Sequence, residues 1–409
     1  MSTDALPSLA GAPWFQAPAL QAVLAALNGD GIETRLVGGA VRNALMGLPV
    51  GEIDLATTAV PDEVVRRAAA AGLKTVPTGI AHGTVTVLSA GVPFEVTSLR
   101  EDVETDGRHA VVRFGTDWAR DAARRDFTFN ALYADAHGQV FDPVGGLPDL
   151  RARQVRFIGD PDTRIREDHL RILRLFRFHA AYGSGPLDPP ALAAAIRLRA
   201  GLDRLSRERI RAELVKLLVA PGAAATLVTM SEAGLLGRIL GGVADGRGFA
   251  RLVELEQALD LTPDPMRRLG VLAVRIGEDA ERLRARLRLS NAEFARLEAL
   301  SGAPAVRADL DARVARALIY GIGAPAFLDR LLIACARRGG DPSALAQMAM
   351  AWVPPDSPFT ATDFMARGLR PGPALGAALA QAKAAWIAAD FPTDAAQIAA
   401  LADAAACDR

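Results

Sequence analysis

Cysteine and histidine are scarce in this chain of 409 residues, and both shortages narrow its chemistry. The two cysteines, Cys335 and Cys407, lie far apart, so neither a disulfide framework nor a thiolate metal site is expected. This composition predicts a cytoplasmic protein. The five histidines all precede residue 180, which excludes a histidine-based metallohydrolase site from the C-terminal half: His82, His109, His137, His169 and His179. A metal site should then use oxygen ligands from the N-terminal part.

Long apolar runs and net charge are missing as well. Arginine or an acidic residue interrupts each candidate membrane span, so we expect a soluble protein with no membrane contact. The N-terminus has no basic region followed by an apolar core, which argues against a secretory signal. The 47 basic and 47 acidic residues cancel, which argues against polyanion binding by the whole surface. Arginine far outnumbers lysine and suits phosphate recognition, but a GC-rich genome produces the same bias.

Half of the residues are hydrophobic, enough for two to four packed units. Residues 1–150 alternate between helical stretches and short strand-like runs, which predicts a mixed sheet of about five strands. From about residue 160 apolar residues recur at helical spacing only. The fold class is therefore predicted as α+β, with an α/β head over residues 1–150 followed by a long all-helical remainder.

The first candidate for ligand binding is a strand–Gly-Gly–helix junction. Gly38 and Gly39 let the backbone approach a ligand closely, and the helix start offers free N–H groups to an anion. Arg42, one turn into the helix, adds a charged fork for a phosphate. Gly-Gly at a tight turn is also common for structural reasons alone, so this motif is weak by itself.

Three carboxylates form the second candidate. Glu52 and Asp54 are two residues apart on a predicted strand and should face the same side. Glu95 lies on a later strand that can pair alongside. Carboxylates held side by side repel unless a cation sits between them, and Mg²⁺ prefers oxygen ligands. The arrangement suits two-metal phosphoryl chemistry, although a solvated acidic strand end explains it equally simply.

Two arginine-rich segments complete the candidates. Arg125 and Asp126, in the run RRDFTFN, can hold a triphosphate and a ribose hydroxyl, or can form a surface ion-pair cluster. In the predicted helix that follows, Asp168 and Arg171 are neighbours at i and i+3. Arg174 and Arg177 extend that row; their mutual repulsion suggests a polyanionic ligand, because simple salt bridging does not readily explain three arginines in a row.

Taken in order, these segments resemble the class II nucleotidyltransferases, the family that holds CCA-adding enzymes and bacterial poly(A) polymerases. The resemblance covers nearly all of residues 36–178 and is carried by LVGGAVRNALMGLPVGEIDLATTA, FEVTSLREDVETDGRHAVVRFGTD, ARRDFTFNALYAD, FDPVGGLPDL and GDPDTRIREDHLRILRLFRF. Weaker similarity continues through LSRERIRAELVKLL, LRLSNAE and GLRPGPALGAAL. The resemblance implies this division: residues 1–150 a catalytic head, 151–220 a helical neck, 221–350 a helical body and 351–409 a helical tail that binds RNA.

The resemblance implies a role for each matching residue. Glu52 and Asp54 would hold Mg²⁺, with Glu95 as a third catalytic carboxylate. The nucleotide would contact Gly39, Arg42, Arg125, Asp126, Asp168, Arg171, Arg174 and Arg177, with Asp168 and Arg171 reading the base. Residues 100–109 match the family's flexible loop, associated with the switch from C to A addition. Two departures stand out: Glu52 replaces the usual aspartate, which leaves the metal geometry in doubt, and Asn43 stands where aspartate is common.

The function that the resemblance implies is addition of CMP, CMP and AMP to the 3′ end of tRNA from CTP and ATP, with no obligate protein partner. One alternative is a poly(A) polymerase or a partial, A-adding enzyme. A second alternative is a catalytically silent RNA-binding homologue, which should have lost its carboxylates, whereas positions 52, 54 and 95 are all acidic.

Overall fold

The computed structural model describes residues 6–79, 83–105, 110–301 and 306–407. The chain divides into two compact units, residues 1–239 and 240–409. Within the described ranges, no helix has the length and apolarity needed to cross a membrane. The finer division into head, neck, body and tail remains a prediction.

The N-terminal unit contains the strands. A seven-stranded sheet has the order β3-β4-β5-β2-β1-β8-β9, and β6 and β7 form a separate two-stranded sheet. The strands are β1 (Thr34–Val37), β2 (Asp54–Thr57), β3 (Lys74–Gly79), β4 (Thr84–Ser89), β5 (Val92–Ser98), β6 (Arg100–Thr105), β7 (Ala110–Phe114), β8 (Tyr133–Ala134) and β9 (Val140–Phe141). Only the β2–β5 pair is parallel among the pairings described, so the sheet is mixed.

Local sequence explains the hairpins of this sheet. β4 and β5 pair antiparallel across Ala90 and Gly91, which both have positive φ (48° and 79°) as a tight two-residue turn requires. β8 and β9 pair across a turn that contains Gly138, also at positive φ. Short strand-like runs on either side of a glycine-containing turn thus form both hairpins.

Eleven helices accompany the sheet or follow it. They are α1 (Pro18–Leu27), α2 (Gly39–Leu45), α3 (Pro61–Ala70), α4 (Trp118–Ala123), α5 (Gly146–Arg151), α6 (Pro161–Glu167), α7 (Leu170–Tyr182), α8 (Pro189–Leu198), α9 (Arg207–Leu218), α10 (Ala223–Glu232) and α11 (Leu235–Leu240), the last at the boundary between the units. Helices α1 and α3 pack on the sheet, and α7 packs against α9 and α10. Because apolar residues of α7 recur every three or four positions, one face of that helix is buried.

The C-terminal unit is helical throughout its described part. Its helices are α12 (Gly246–Ala258), α13 (Pro265–Ala273), α14 (Gly277–Leu287), α15 (Asn291–Ser301), α16 (Ala312–Ile322), α17 (Ala324–Arg338), α18 (Ser343–Ala351), α19 (Ala361–Ala366), α20 (Pro373–Ala388) and α21 (Ala395–Cys407). The last three helices share an aromatic core that includes Phe364, Trp386 and Phe391.

The predicted α+β class is confirmed, but the sheet is larger than the five strands expected. Strand β3 was not predicted because its sequence, KTVPTG, alternates poorly between apolar and polar residues and contains Pro77. A proline is tolerated there because β3 is an edge strand, where one N–H can be lost from the ladder. Strand β6, which forms a separate sheet with β7, begins with the charged run RED, which carries no apolar alternation.

Candidate active site

The Gly-Gly junction forms the turn that was predicted. β1 ends at Val37, Gly38 has φ 70°, and Gly39 is the first residue of α2. A side chain at Gly38 would be strained at this φ and would face the Asn130 carbonyl (3.7 Å) and the Arg125 guanidinium (4.0 Å). The turn therefore packs close to both of these residues.

Arg42 is buried in α2, with an exposed fraction of 6%. Its guanidinium donates to three neutral side chains, Asn130 Oδ1 (2.6 Å), Asn43 Oδ1 (2.9 and 3.1 Å) and the hydroxyl of Tyr182 (2.8 Å). It also stacks on the Tyr182 ring at 4.0 Å. Burial lowers the pKa of Arg42, although a guanidinium stays charged at neutral pH. Asn43, a departure from the family pattern, thus acts as a neutral acceptor for Arg42.

Asp54 and Glu95 are brought together as predicted. They are register partners on the parallel strands β2 and β5, so both side chains point to the same face about 4.8 Å apart. Glu52 lies in a bend before β2 and not on the strand, which corrects the expected i, i+2 strand geometry. All three carboxylates are exposed, so a cation can reach them.

The electrostatics of this group fit a hard cation. Partial desolvation, then repulsion from Glu95 and Glu52, raises the pKa of Asp54 above its ordinary value, while Arg125 acts against the shift. Clustered carboxylates that repel each other are the oxygen ligands that Mg²⁺ prefers. Within the described ranges, no set of three or more acidic, histidine or cysteine side chains is grouped so that it could hold a metal ion. Glu52, Asp54 and Glu95 are among the described residues, so they too do not form such a set.

Arg125 is held in place by a carboxylate that the sequence analysis missed. Asp121, 1% exposed, accepts hydrogen bonds from Arg125 Nη2 (3.0 Å) and the Tyr133 hydroxyl (2.7 Å). Its other oxygen accepts from Arg124 (2.5 and 2.8 Å). Burial alone would raise the pKa of Asp121, but Arg125 and Arg124 outweigh burial and lower it. Arg125 lies close enough to Asp54 to act on its charge.

Asp126 connects the sheet-bearing part to helix α7. It is buried and accepts from Arg174 Nε at 2.7 Å and Asn130 Nδ2 at 3.1 Å. Burial would raise the pKa of Asp126, but Arg174 and Asn130 reverse that effect and lower it. Asn130 thus contacts both Asp126 and Arg42, so that Arg42, Asp126 and Arg174 belong to one hydrogen-bonded network.

Asp168 lies in a break between two helices. Helix α6 ends at Glu167, α7 begins at Leu170, and Asp168 itself has extended backbone (φ −152°, ψ 108°). One carboxylate oxygen accepts from the Leu170 N–H (3.0 Å), and the other accepts from Arg209 (2.6 Å) on α9. The single predicted helix through this segment is therefore wrong, and Asp168 is not on the helical row that carries Arg171.

Each arginine of the row has its own carboxylate. The pairs are Arg171 with Glu167, Arg174 with Asp126 and Arg177 with Glu213. Salt bridging therefore does explain three arginines in a row, and their repulsion does not require a polyanionic ligand, because carboxylates from three elements already balance them. Arg171 Nη2 makes only one long contact, 3.4 Å to the Arg124 carbonyl, and remains a donor for a ligand.

Gly201, in a 3₁₀ helix at Arg199–Arg204, packs against the imidazole of His169. A Cβ at this position would overlap the ring atoms of His169. Burial and then the charge of Arg204 lower the pKa of His169, which favours its neutral form. The backbone on the C-terminal side of Asp168 is therefore braced by a glycine about thirty residues later.

Several residues of the site carry no signal of their own in the sequence. Asp121 is the exception, because its i+3 and i+4 spacing to Arg124 and Arg125 predicts an ion-pair cluster. No periodicity indicates the contacts of Asn130, Tyr133, Tyr182, Arg209 and Glu213. In the predicted loop at residues 100–109, residues 100–105 form β6, and 106–109 lie outside the described residues.

Comparison with known families gives two matches, one inside the N-terminal unit and one that continues past its end to residue 245. The profile described as "Poly A polymerase head domain" matches residues 34–156. The profile described as "Probable RNA and SrmB- binding site of polymerase A" matches residues 186–245. The first match contains the Gly-Gly turn, the carboxylate group and Arg125. Asp168 and the arginine row lie between the two matches.

Related proteins extend the similarity along the chain. A CCA-adding enzyme of Limosilactobacillus fermentum is 33% identical over 364 residues, 87% of this chain and 89% of that protein. A mitochondrial CCA tRNA nucleotidyltransferase 1 of Danio rerio is 41% identical over 264 residues, 64% of this chain. The match spans 61% of the length of that fish protein and 44% of a human one.

Solved structures agree with this similarity. The structure of a Bacillus stearothermophilus CCA-adding enzyme in complex with CTP superposes with a TM-score of 0.71 at 26% identity, covering 95% of this chain and 97% of that chain. A Thermotoga maritima CCA-adding enzyme complexed with tRNA has a TM-score of 0.66 at 16% identity, a likeness of fold.

Proposed function

Because this chain belongs to the family of class II nucleotidyltransferases that includes the CCA-adding enzymes, we propose that it adds CMP, CMP and AMP to the 3′ end of tRNA. The substrates are CTP, ATP and a tRNA that lacks its CCA end. The observation that carries the proposal is the in-register Asp54–Glu95 pair beside the Gly38–Gly39 turn, with Arg125 close enough to act on Asp54.

The reaction follows from what these groups can do. The 3′ hydroxyl of the RNA attacks the α-phosphorus of the nucleotide, a new P–O bond forms, the α–β bridge breaks and pyrophosphate leaves. Mg²⁺ held by Asp54, Glu52 and Glu95 would lower the pKa of the hydroxyl and neutralise charge on the leaving group. Arg125, anchored by Asp121, would bind the triphosphate, and the Gly38–Gly39 turn, which carries no side chains, lies beside it.

Base choice follows from complementary hydrogen bonding. The pairing edges of cytosine and adenine each present an amino donor beside a ring-nitrogen acceptor, whereas uracil and guanine present a carbonyl beside an N–H. A carboxylate only accepts and a guanidinium only donates, so Asp168 with Arg171 satisfies C and A. Against U or G both side chains are left without a hydrogen-bond partner, at a cost of about 1–3 kcal/mol each. Together these costs give roughly 10²–10⁴-fold discrimination against U and G. No nucleic-acid template is required.

The ion pairs support this assignment. Asp168 is held by Arg209 and the Leu170 N–H, yet a carboxylate has about four acceptor sites, so acceptors remain for a base. Arg171 is held by Glu167 and the Arg164 carbonyl, with Nη2 left for donation. Both side chains are oriented before a nucleotide arrives, which reduces the entropy lost on binding.

Compartment forms part of the same proposal. Cys335 and Cys407 are unpaired, which supports a reducing, cytoplasmic environment. The vertebrate relatives are named as mitochondrial proteins, so fractionation of the native host would decide between the two.

The decisive experiment supplies a tRNA that ends before CCA with Mg²⁺ and with CTP, ATP or both. Addition of three nucleotides with both substrates, and of two with CTP alone, is the expected result. A long A tail from ATP alone would identify a poly(A) polymerase. Tight tRNA binding with no extension would identify the silent RNA-binding homologue.

A further inference from the structure

A cleft in the C-terminal unit concentrates positive charge in a protein whose total charge is zero. Its volume is about 420 Å³, and it lies where α12 begins and α17 ends. One carboxylate, Asp245, lines it, together with five arginines: Arg247, Arg251, Arg275, Arg337 and Arg338.

The carboxylates around the cleft do not balance these charges. Asp245 is shared, because its Oδ2 lies 2.5 Å from Arg275 and 3.7 Å from Arg337 while its Oδ1 caps α12 at Gly248. Arg251 pairs with Glu254, outside the cleft lining. Arg247 and Arg338 are exposed and make no ion pair with any residue that the structure describes.

Arg337 shows the same imbalance at the inner wall. Its Nη2 donates to the carbonyls of Gly270, Val271 and Val274 at the end of α13. Its Nε is buried and has no hydrogen-bond acceptor within the described ranges. Burial, followed by repulsion from Arg275, lowers the pKa of Arg337 to about 10. An anion in the cleft would relieve this repulsion.

We propose that this cleft binds a phosphate in the backbone of the RNA substrate, an inference that rests on the proposed tRNA activity. Guanidinium forks match the oxygens of a phosphate group, and Arg247 and Arg338 have donors to offer. No aromatic side chain lines the cleft, so it has no surface on which to stack a base.

Another basic segment of this unit is less suited to that role. Arg282, on α14, is engaged by Asp279 and by the Leu240 and Ala273 carbonyls. Arg284 donates to Asn291 and stacks on Phe294. These guanidinium groups already contact the protein, which favours the cleft as the phosphate site.

The test compares two double variants with equal loss of charge. Arg247→Ala with Arg338→Ala removes the two unpaired cleft arginines, whereas Arg307→Ala with Arg313→Ala removes two exposed arginines of the same unit outside the cleft. Since each lost phosphate contact reduces the slope of log K against log salt by about 1, and the cleft is proposed to bind one phosphate, the slope of the cleft variant should fall by about 1. Its KM for tRNA should rise about tenfold, with KM for CTP and kcat unchanged.

The outcomes separate this inference from the proposed function. If wild-type protein adds CCA but both double variants bind tRNA alike, the cleft assignment is overturned and the activity stands. If wild-type protein adds nothing, gel-shift titration with tRNA still tests the cleft. A third arm uses inorganic phosphate: if it raises the Tm of wild type but not of the cleft variant, while tRNA binding is equal in both, the cleft takes free phosphate and the RNA assignment is wrong.

Discussion

The Oδ2 atom of Asp168 accepts a hydrogen bond from Arg209 at 2.6 Å, across 41 positions of sequence. The predicted partner, Arg171, instead pairs with Glu167. The two side chains proposed to read a base are therefore held by separate ion pairs, and neither neutralises the other. An edge with one free acceptor and one free donor follows from this separation.

Asp168→Ala is predicted to relax nucleotide choice. Without the carboxylate, the amino donor of cytosine loses its acceptor and the carbonyl of uracil is no longer opposed. Preference for CTP over UTP in single-nucleotide incorporation should fall by about 10²-fold. The control is Asp162→Ala. It removes a carboxylate of the nearby helix α6 that pairs with Arg197 on α8, and it should leave the preference unchanged. Unaltered selectivity in Asp168→Ala would refute the base-reading role.

Asp54→Asn is predicted to abolish Mg²⁺-dependent incorporation while leaving the fold intact. The amide keeps the shape but removes the charge that binds the cation. Since Glu95 and Glu52 raise the pKa of Asp54 by repulsion, after partial desolvation, the variant should unfold at the same temperature as wild type or slightly higher. Incorporation should fall to background, and Glu52→Gln should behave likewise.

The control for the Asp54→Asn and Glu52→Gln variants is Asp62→Asn, which changes an exposed residue in the first turn of α3. It should keep full incorporation. Activity retained in Asp54→Asn would remove this residue from the metal site, and activity retained in Glu52→Gln would remove only Glu52, which lies off the strand.

Asp121→Asn is predicted to weaken nucleotide binding through Arg125. The change leaves Arg124 and Arg125 without their buried counter-charge, so Arg125 is no longer held beside the Gly-Gly turn. KM for CTP should rise about tenfold, and stability should fall by about 3 kcal/mol, as when one partner of a buried ion pair is removed. Asp117→Asn is the matched control, because asparagine also caps α4.

The same carboxylate predicts a dependence on pH. The pKa of Asp121 is lowered in the folded protein, so its contribution to stability is complete above the ordinary value of about 4. That contribution is lost as pH falls through the lowered pKa. Acid unfolding curves of wild type and Asp121→Asn should therefore converge at low pH, and curves that stay parallel would contradict the assignment.

Glu256→Gln is predicted to destabilise the C-terminal unit. Glu256, 1% exposed, accepts from Arg267 (2.9 Å) and Arg268 (2.7 Å), which are themselves buried. Removing its charge leaves two buried guanidiniums undercompensated, a loss of about 3 kcal/mol. Glu254→Gln, two residues away in an exposed pair with Arg251, should change stability by less than about 0.5 kcal/mol. Urea unfolding followed by circular dichroism compares the two.

The sheet and its turns could be predicted because their determinants are local. Strands β4 and β5 alternate apolar and polar residues, and the Ala90–Gly91 turn between them has its own signature. The parallel alignment of Asp54 with Glu95 was only partly predictable. The strand patterns identify both residues, but register between strands 41 positions apart depends on packing in the finished sheet.

The pairings around helix α7 could not be predicted from pattern. Arg174 contacts Asp126, and Arg177 contacts Glu213, over separations of 48 and 36 residues. Helical spacing places the arginines on one face, but it carries no information about which carboxylates other elements bring to that face. The break at Asp168 could not be predicted for a related reason. The Asp168 carboxylate accepts a hydrogen bond from the Leu170 N–H at the start of α7, and Arg209 holds it from another helix.

The close packing of Gly201 against His169 has a consequence for how selectivity can change. Even one methyl group at position 201 would displace the imidazole ring, and the displacement would pass directly to the peptide that follows Asp168. Redesign of base preference should therefore begin at Arg171 or Arg209 and leave Gly201 unchanged. Gly201, which has no side chain, thus limits how far mutation can change the nucleotide preference proposed for Asp168.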